Sequence, residues 1–265
     1  MVRACGIVGF SRAAYYRPPQ PAAERDAAVI ARIMQYVDRF PRIGFWQMYR
    51  RMRRSGSPWN FKRVLRVYRA LGLNQPRRTK RRVPKRVRQP LDAPALLNWI
   101  WSLDFMSDAL YGGRKIRILN VLDEGNREGL ASEAATSFPA ARVVRLLDEL
   151  VALYGKPWGL RLDNGPEFTS EKFTEWCRTH GIRILYIQPG KPDQNAYIER
   201  FNRSYREGVL DPYVFASVEE VQQITDEWLE DYNSERPHKS LGRVPPRTFL
   251  PRPKRPRESS YELST

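Results

Sequence analysis

The sequence predicts an α/β protein: a mixed five-stranded sheet with flanking helices, preceded by a small helix-turn-helix module. Three observations predict it. Charge is divided unevenly, with 23 Lys/Arg against 3 Asp/Glu in residues 1–90 and 19 against 24 in residues 91–250. Apolar residues fall at helical spacing up to about residue 73. From about residue 95, three strand-like runs come first and strand–helix alternation follows, a meander leading into βα units.

The elements follow in order. Residues 24–39 place Val29, Ile30, Ile33, Met34 and Val37 at helical spacing. Pro41 and Gly44 break that helix. FWQMYRRMRR (45–54) is a second short helix. SGSP is a turn, with Ser57 as the cap ahead of Pro58. Residues 60–73 form a third helix closed by Gly72. Val64, Val67, Tyr68 and Leu71 face its core, and Lys62, Arg63, Arg66 and Arg69 lie around the rest. Three short helices with a basic third one read as a DNA-binding module over 24–76. A small bundle with a solvated basic face would give the same pattern. Residues 1–23 are a basic N-terminal segment. Residues 77–88 hold eight Lys/Arg in twelve positions, and Pro84 and Pro90 keep the segment extended. This linker, 77–94, is expected to follow a phosphate backbone, with Arg81 and Arg82 among its contacts.

The second region spans 95–250. WIWSLDFMSDAL (99–110) is a strand, GG at 112–113 a hairpin turn, and 115–124 and 127–134 two further strands. Residues 139–155 are a helix with Val143, Leu146, Leu147, Leu150 and Val151 on one side and Gly155 as its stop. WGLRLD (158–163) is a buried strand ending at Asp163. Residues 170–181 are a helix capped by Ser170. A fifth strand (182–189), a long helix (194–210) and another helix (217–233) complete the set. A flexible basic tail occupies 251–265.

Composition excludes several functions. The net charge of +17 belongs to the N-terminal third. A block this basic points to a polyanion, because each Lys or Arg near a phosphate releases a counterion. A merely solubilising basic arm is the plainer reading. No run of eighteen apolar residues offers a membrane span. The start, MVRACGIVGF, lacks the apolar stretch of a secretory signal. Cys5 and Cys177 make neither a disulfide framework nor a zinc site, which fits a reducing cytoplasm.

Three acids carry the chemistry. Asp104 sits mid-strand among apolar residues, where a carboxylate is costly unless paired or metal-bound. Asp163 ends a strand and precedes the Asn164-Gly165 turn. Glu199 lies in a helix after the Pro- and Gly-containing QPGKPDQNA loop. Acids on three separate elements can converge at one end of a sheet and hold two divalent ions. Taken singly each is weak evidence, since the chain has 29 Asp/Glu. No Ser/His/Asp arrangement or phosphate-cradling glycine loop competes.

The run from Trp99 to His238 resembles the downstream-frame transposase of the IS-three type of bacterial insertion sequence, a member of the retroviral integrase superfamily. WSLDF (101–105), LDNGPEF (162–168) and QPGKPDQNAYIERFNRSYREGVLD (188–211) match its three motifs. They carry Asp104, Asp163 and Glu199, with 35 residues between the last two. YNSERPHKSLG (232–242) resembles the closing segment, and residues 40–73 the helix-turn-helix segment. The resemblance implies a ribonuclease H-like fold and a DDE site using two Mg2+ or Mn2+ ions for DNA end cleavage and strand transfer. It also implies a circular DNA intermediate, a homo-oligomer on DNA and a bacterial cytoplasmic, nucleoid-associated location. The family often adds an upstream-frame partner with another helix-turn-helix and a leucine zipper. No heptad repeat occurs here. Gly125 departs from the pattern, standing where relatives usually carry an aromatic residue, and is expected to loosen the strand.

Other residues are weighed beside these. Arg206, seven positions after Glu199, and Lys191 are the expected phosphate contacts, with Arg203 and Asn195 as further DNA contacts beside Lys62, Arg63 and Arg66. Asn195 and Gln194 could equally cap the helix. Asp123 and Glu124 could assist the metal site but read rather as surface acids at a strand end, and Asp108 and Asp193 as solvated, Asp193 with a capping role. Glu167 is open between roles. His180 reads as a helix C-cap, His238 as structural or near the site, and Trp99 and Trp101 as core. Two other functions remain: a DNA-binding protein without catalysis, and a ribonuclease acting on RNA–DNA hybrids.

Overall fold

A computed structural model of the chain describes residues 22–74, 94–188 and 192–252, together with Ile7. The chain divides into two compact units, Met1–Arg77 and Arg78–Thr265.

In the first unit, helices α1 (Ala22–Arg39), α2 (Phe45–Arg54) and α3 (Phe61–Ala70) surround a core of Val29, Ile33, Ile43, Met48, Met52, Val64, Val67 and Tyr68. Met34, on the predicted apolar stripe, is exposed. The cap of α3 is Asn60, not Ser57: its side chain accepts from the Arg63 N–H at 3.0 Å. An Asn directly before the first helical residue satisfies an orphan N–H that Ser57 is too far upstream to reach. Arg63 Nε and Arg66 Nη2 donate to the buried Asp26 of α1 at 3.0 and 2.7 Å. Part of the basic face of α3 therefore serves the fold.

In the second unit, strands β1 (Ile100–Ala109), β2 (Lys115–Asp123), β3 (Gly129–Ala135), β4 (Gly159–Leu162) and β5 (Arg183–Tyr186) form one sheet in the order β3-β2-β1-β4-β5. The first three are antiparallel neighbours. β4 and β5 run parallel to β1, as βα connections require. Helices α4 (Ala140–Tyr154), α5 (Pro166–Thr169) and α6 (Glu171–Thr179) cover one face over Trp101, Leu103, Leu119, Val121, Leu160 and Leu162. Ser170 caps α6 as its sequence predicts, accepting from the Phe173 N–H. Helices α7 (Ala196–Tyr205) and α8 (Val218–Ser234) cover the other face over Met106, Ile116, Ile118 and Leu122. The long helix expected over 194–210 is shorter. It starts at Ala196 after a 3₁₀ turn and passes into a π-helical turn at Arg206–Leu210. A wider turn keeps the same apolar side inward, so periodicity alone does not reveal it.

A short helix α9 (Pro246–Phe249) leads to a C-terminal strap. Arg252 reaches Asp123 Oδ2 at 2.5 Å, Glu128 Oε2 at 2.7 Å and Asn98 Oδ1 at 2.8 Å. Arg247 joins Glu128 to Glu230. The beginning of the expected flexible tail is thus fastened to the sheet. None of the helices among the described residues is long and apolar enough to cross a membrane.

Candidate active site

Asp104 lies on the same face of the sheet as Ser102 and Met106, because side chains alternate along a strand. Its partner in β2 is Asn120. The parallel register pairs Ile100 with Gly159, Trp101 with Leu160 and Ser102 with Arg161. Asp104 and Asp163 each lie two residues beyond the last pair of that register, Asp163 in the turn just past the end of β4. α7 packs on β1 and β2 over this face and carries Glu199 in its first turn.

Both oxygens of the Asp104 carboxylate are held. The Phe105 N–H donates to Oδ1 at 2.9 Å, and Asn202 Nδ2 donates to Oδ2 at 2.7 Å. Asn202 accepts in turn from Asn120 Nδ2 at 2.8 Å. This Asn120–Asn202–Asp104 chain joins β2, α7 and β1. It also fixes Glu199, one turn before Asn202, relative to Asp104. Arg127, left-handed at φ 62°, lays its guanidinium on Tyr197 at 3.4 Å and supports the same turn of α7. Burial raises the Asp104 pKa, and the charges of Asp163 and Glu199 raise it further, to about 6, against the two hydrogen bonds.

Asp163 and Glu199 are exposed. The turn after β4 presents Asp163, whose Oδ1 accepts from the Gly165 N–H at 3.0 Å. Gly165 leaves little room: a Cβ there would stand 3.0 Å from Asp163 Oδ1. Tyr186 Oη donates to the Phe168 carbonyl at 2.9 Å and Arg117 pairs with Glu167, so α5 is held behind the turn.

Among the described residues no three His, Cys, Asp or Glu side chains are gathered closely enough to hold a metal ion as they stand. The donor chemistry nonetheless fits a hard divalent cation. Two carboxylates load unfavourable charge onto a third, and a cation shared by them would relieve that repulsion.

The remaining expected residues fall differently. Arg206 donates to Asp108 Oδ2 at 3.2 Å and to the Ser107 carbonyl at 3.0 Å, so Asp108 is paired rather than solvated. Arg203 and Lys62 are exposed, whereas Asn195 is buried. Gln194 closes its loop by accepting from the Gln188 N–H. Lys191, Arg81, Arg82, Cys5 and the side chain of Asp193 lie outside the described residues. Asp123 and Glu124 are not surface acids. Asp123 is 0% exposed beneath Arg252, and Glu124, 1% exposed, bonds Ser102 and Arg161. Their cations come from far along the chain, which a local reading of a strand end does not contain. Gly125 lies in the β2–β3 turn rather than a strand. A Cβ there would stand 2.1 Å from the Leu96 carbonyl oxygen, so close backbone approach demands glycine. Trp101 is core, but Trp99 is partly exposed and stacks on Trp158 at 4.6 Å. His180 caps α6 through the Trp176 carbonyl, and His238 packs edge-on against Tyr232.

Sequence reasoning missed Asn120, Asn202, Arg117 and Arg161. Asn202 had one available signal, its position one turn after Glu199 on the face that carries Ile198 and Phe201 inward.

Family models agree with this division. An HTH-like domain model matches residues 23–82, and two integrase core domain models match 95–192 and 180–246. The insertion element IS476 uncharacterized 39.2 kDa protein of Xanthomonas euvesicatoria is 38% identical over 93% of this chain and 71% of its own length. The insertion element IS407 uncharacterized 31.7 kDa protein of Burkholderia multivorans is 35% identical over 93% of this chain and 89% of its own. Among solved structures, the HTLV-2 integrase catalytic core in complex with magnesium aligns over 57% of this chain and 96% of that one, at 19% identity and a TM-score of 0.44. With its helix-turn-helix module, ribonuclease H-like sheet and integrase core, the chain belongs to the DDE transposases of bacterial insertion sequences, in the downstream-frame branch of the IS-three type.

Proposed function

We propose that Asp104, Asp163 and Glu199 are the catalytic acids of this transposase and hold two Mg2+ or Mn2+ ions. What supports this reading is the parallel β1–β4 register, whose last pair, Ser102 with Arg161, lies two residues before both Asp104 and Asp163, and the packing on β1 of the helix that carries Glu199. Bound there, the ions would activate the attacking water or 3′-hydroxyl and stabilise the leaving oxygen of a phosphodiester. The protein's part is positional. Asn202 and the Phe105 N–H orient the Asp104 carboxylate, the Gly165 N–H orients that of Asp163, and Asp104, whose pKa burial and the neighbouring acids raise, must be ionised to serve as a ligand.

DNA is the partner. Arg203, exposed one turn beyond Glu199, faces outward beside the acids and suits a phosphate contact. Lys62 suits one in the helix-turn-helix unit, whereas Arg63 and Arg66 are half committed to Asp26. Arg206 serves α7 first and DNA only if its pairing with Asp108 opens. Joining two element ends calls for a homo-oligomer on DNA, and an upstream-frame protein would supply further end recognition. Such a reaction belongs in the bacterial cytoplasm, at the nucleoid. The test is Mg2+- or Mn2+-dependent cleavage and joining of DNA carrying the element's ends, with Asp163→Asn inactive.

One observation favours a second reading, DNA binding without catalysis: the three acids are not gathered as they stand. Tight DNA binding with no Mn2+ binding dependent on Asp104, Asp163 or Glu199 would select it.

A further inference from the structure

We infer that Arg117 is a positioning residue for the proposed metal-binding acids, acting by restraining Glu167, whose carboxylate lies beside Asp163. The inference rests on the proposed role of Asp163 as a metal ligand and concerns a residue that no motif marks.

Arg117 is on β2 and Glu167 on α5, fifty residues apart, and their side chains form an ion pair. The guanidinium also lies 4.0 Å from the ring centre of Phe105, the residue after Asp104. Phe105 stacks on Phe168, the residue after Glu167, at 5.2 Å. Arg117 therefore spans the two segments that carry Asp104 and Asp163. The Glu167 carboxylate is divided: Oε1 takes the Arg117 bond, while Oε2 points toward the turn. Glu167 Oε2 and Asp163 Oδ1 lie 3.4 and 3.0 Å from the same point beside Gly165. A fourth carboxylate thus stands next to a proposed ligand, and Arg117 restrains it.

The physical consequence is directional. Without Arg117, Glu167 keeps its charge but loses its tether, and one rotamer change carries it toward Asp163. An added anionic oxygen tightens binding of a hard cation, while altered coordination geometry impairs turnover. A residue that only stabilised the fold would produce no such split.

The experiment is a Mn2+ titration of the full chain, read by the paramagnetic resonance of free Mn2+, beside cleavage rates at saturating metal. Arg117→Gln is compared with Glu167→Gln, the double variant and Arg117→Lys. The expected result for Arg117→Gln is at least threefold tighter Mn2+ binding with at least tenfold slower cleavage. The double variant should return the affinity to within twofold of the parent, and Arg117→Lys should stay near it. Unchanged or weaker Mn2+ binding in Arg117→Gln would overturn the inference, as would a double variant no different from the single one. Thermal unfolding of each variant separates loss of fold from loss of restraint, and the titrations are run at a temperature at which every variant is folded. Asp163→Asn, titrated in parallel, reports on the parent reading: if it binds Mn2+ as the unmodified chain does, the site assignment fails rather than the role of Arg117.

Discussion

Replacing Asp104 by Asn should stabilise the protein while abolishing its chemistry, and the size of the gain follows from the site. Burial and the charges of Asp163 and Glu199 raise the Asp104 pKa from 3.8 to about 6. The folded state therefore binds a proton more tightly than the unfolded state. Below about pH 4 the residue is neutral in both states and carries no penalty. As pH rises from about 4 through about 6, the folded protein loses stability, because it must ionise a carboxylate in an unfavourable place. Two pH units at 1.36 kcal/mol each give roughly 3 kcal/mol at pH 8. Asn cannot accept the Asn202 bond at the same atom, and losing that hydrogen bond costs about 1 kcal/mol. The net expectation for Asp104→Asn is a gain of about 2 kcal/mol at pH 8 that turns into a loss of up to about 1 kcal/mol at pH 4 and below. Denaturant unfolding of metal-free protein at the two pH values measures it. Destabilisation at pH 8, or a gain equal at both pH values, would refute the electrostatic account of the site. Functional sites that hold mutually repelling groups commonly trade stability in this way.

Other substitutions test the surroundings. Arg252→Ala leaves Asp123 buried without its cation and should cost about 3 kcal/mol by urea unfolding, since breaking one side of a buried pair exposes the full desolvation penalty. Gly165→Ala should leave unfolding unchanged, because φ is −60°, yet slow cleavage about tenfold by pressing on Asp163 Oδ1. Arg206→Ala should change stability by less than about 1 kcal/mol, its ion pair being half exposed, and a fall of about 1 in the salt dependence of DNA binding would assign it a phosphate contact.

The fold was legible because it rests on local patterns, and the three proposed acids stand out in the sequence by the same means. Apolar period marks the strands and helices, and the spacing of WSLDF, LDNGPEF and the Glu199 helix marks the site. What stayed illegible depends on distant partners. Asp123 and Glu124 look like surface charge until Arg252 and Arg161 arrive from elsewhere in the chain. Arg63 and Arg66 look free for DNA until α1 brings Asp26 to them. Asn120 and Asn202 are ordinary polar residues in sequence and become a hydrogen-bonded chain only once α7 lies on β2. The glycine requirement at Gly125 is likewise set by a backbone approach from Leu96, outside its own turn.

The central claim is that Asp104, Asp163 and Glu199 act together through divalent metal on DNA. The most direct measurement is Mg2+- or Mn2+-dependent cleavage and joining of element-end DNA by the unmodified chain and by Asp163→Asn at equal DNA occupancy. The account predicts activity in the first and a loss well beyond a hundredfold in the second, more than the loss of an outer-shell partner causes. Undiminished cleavage and joining by Asp163→Asn would contradict it.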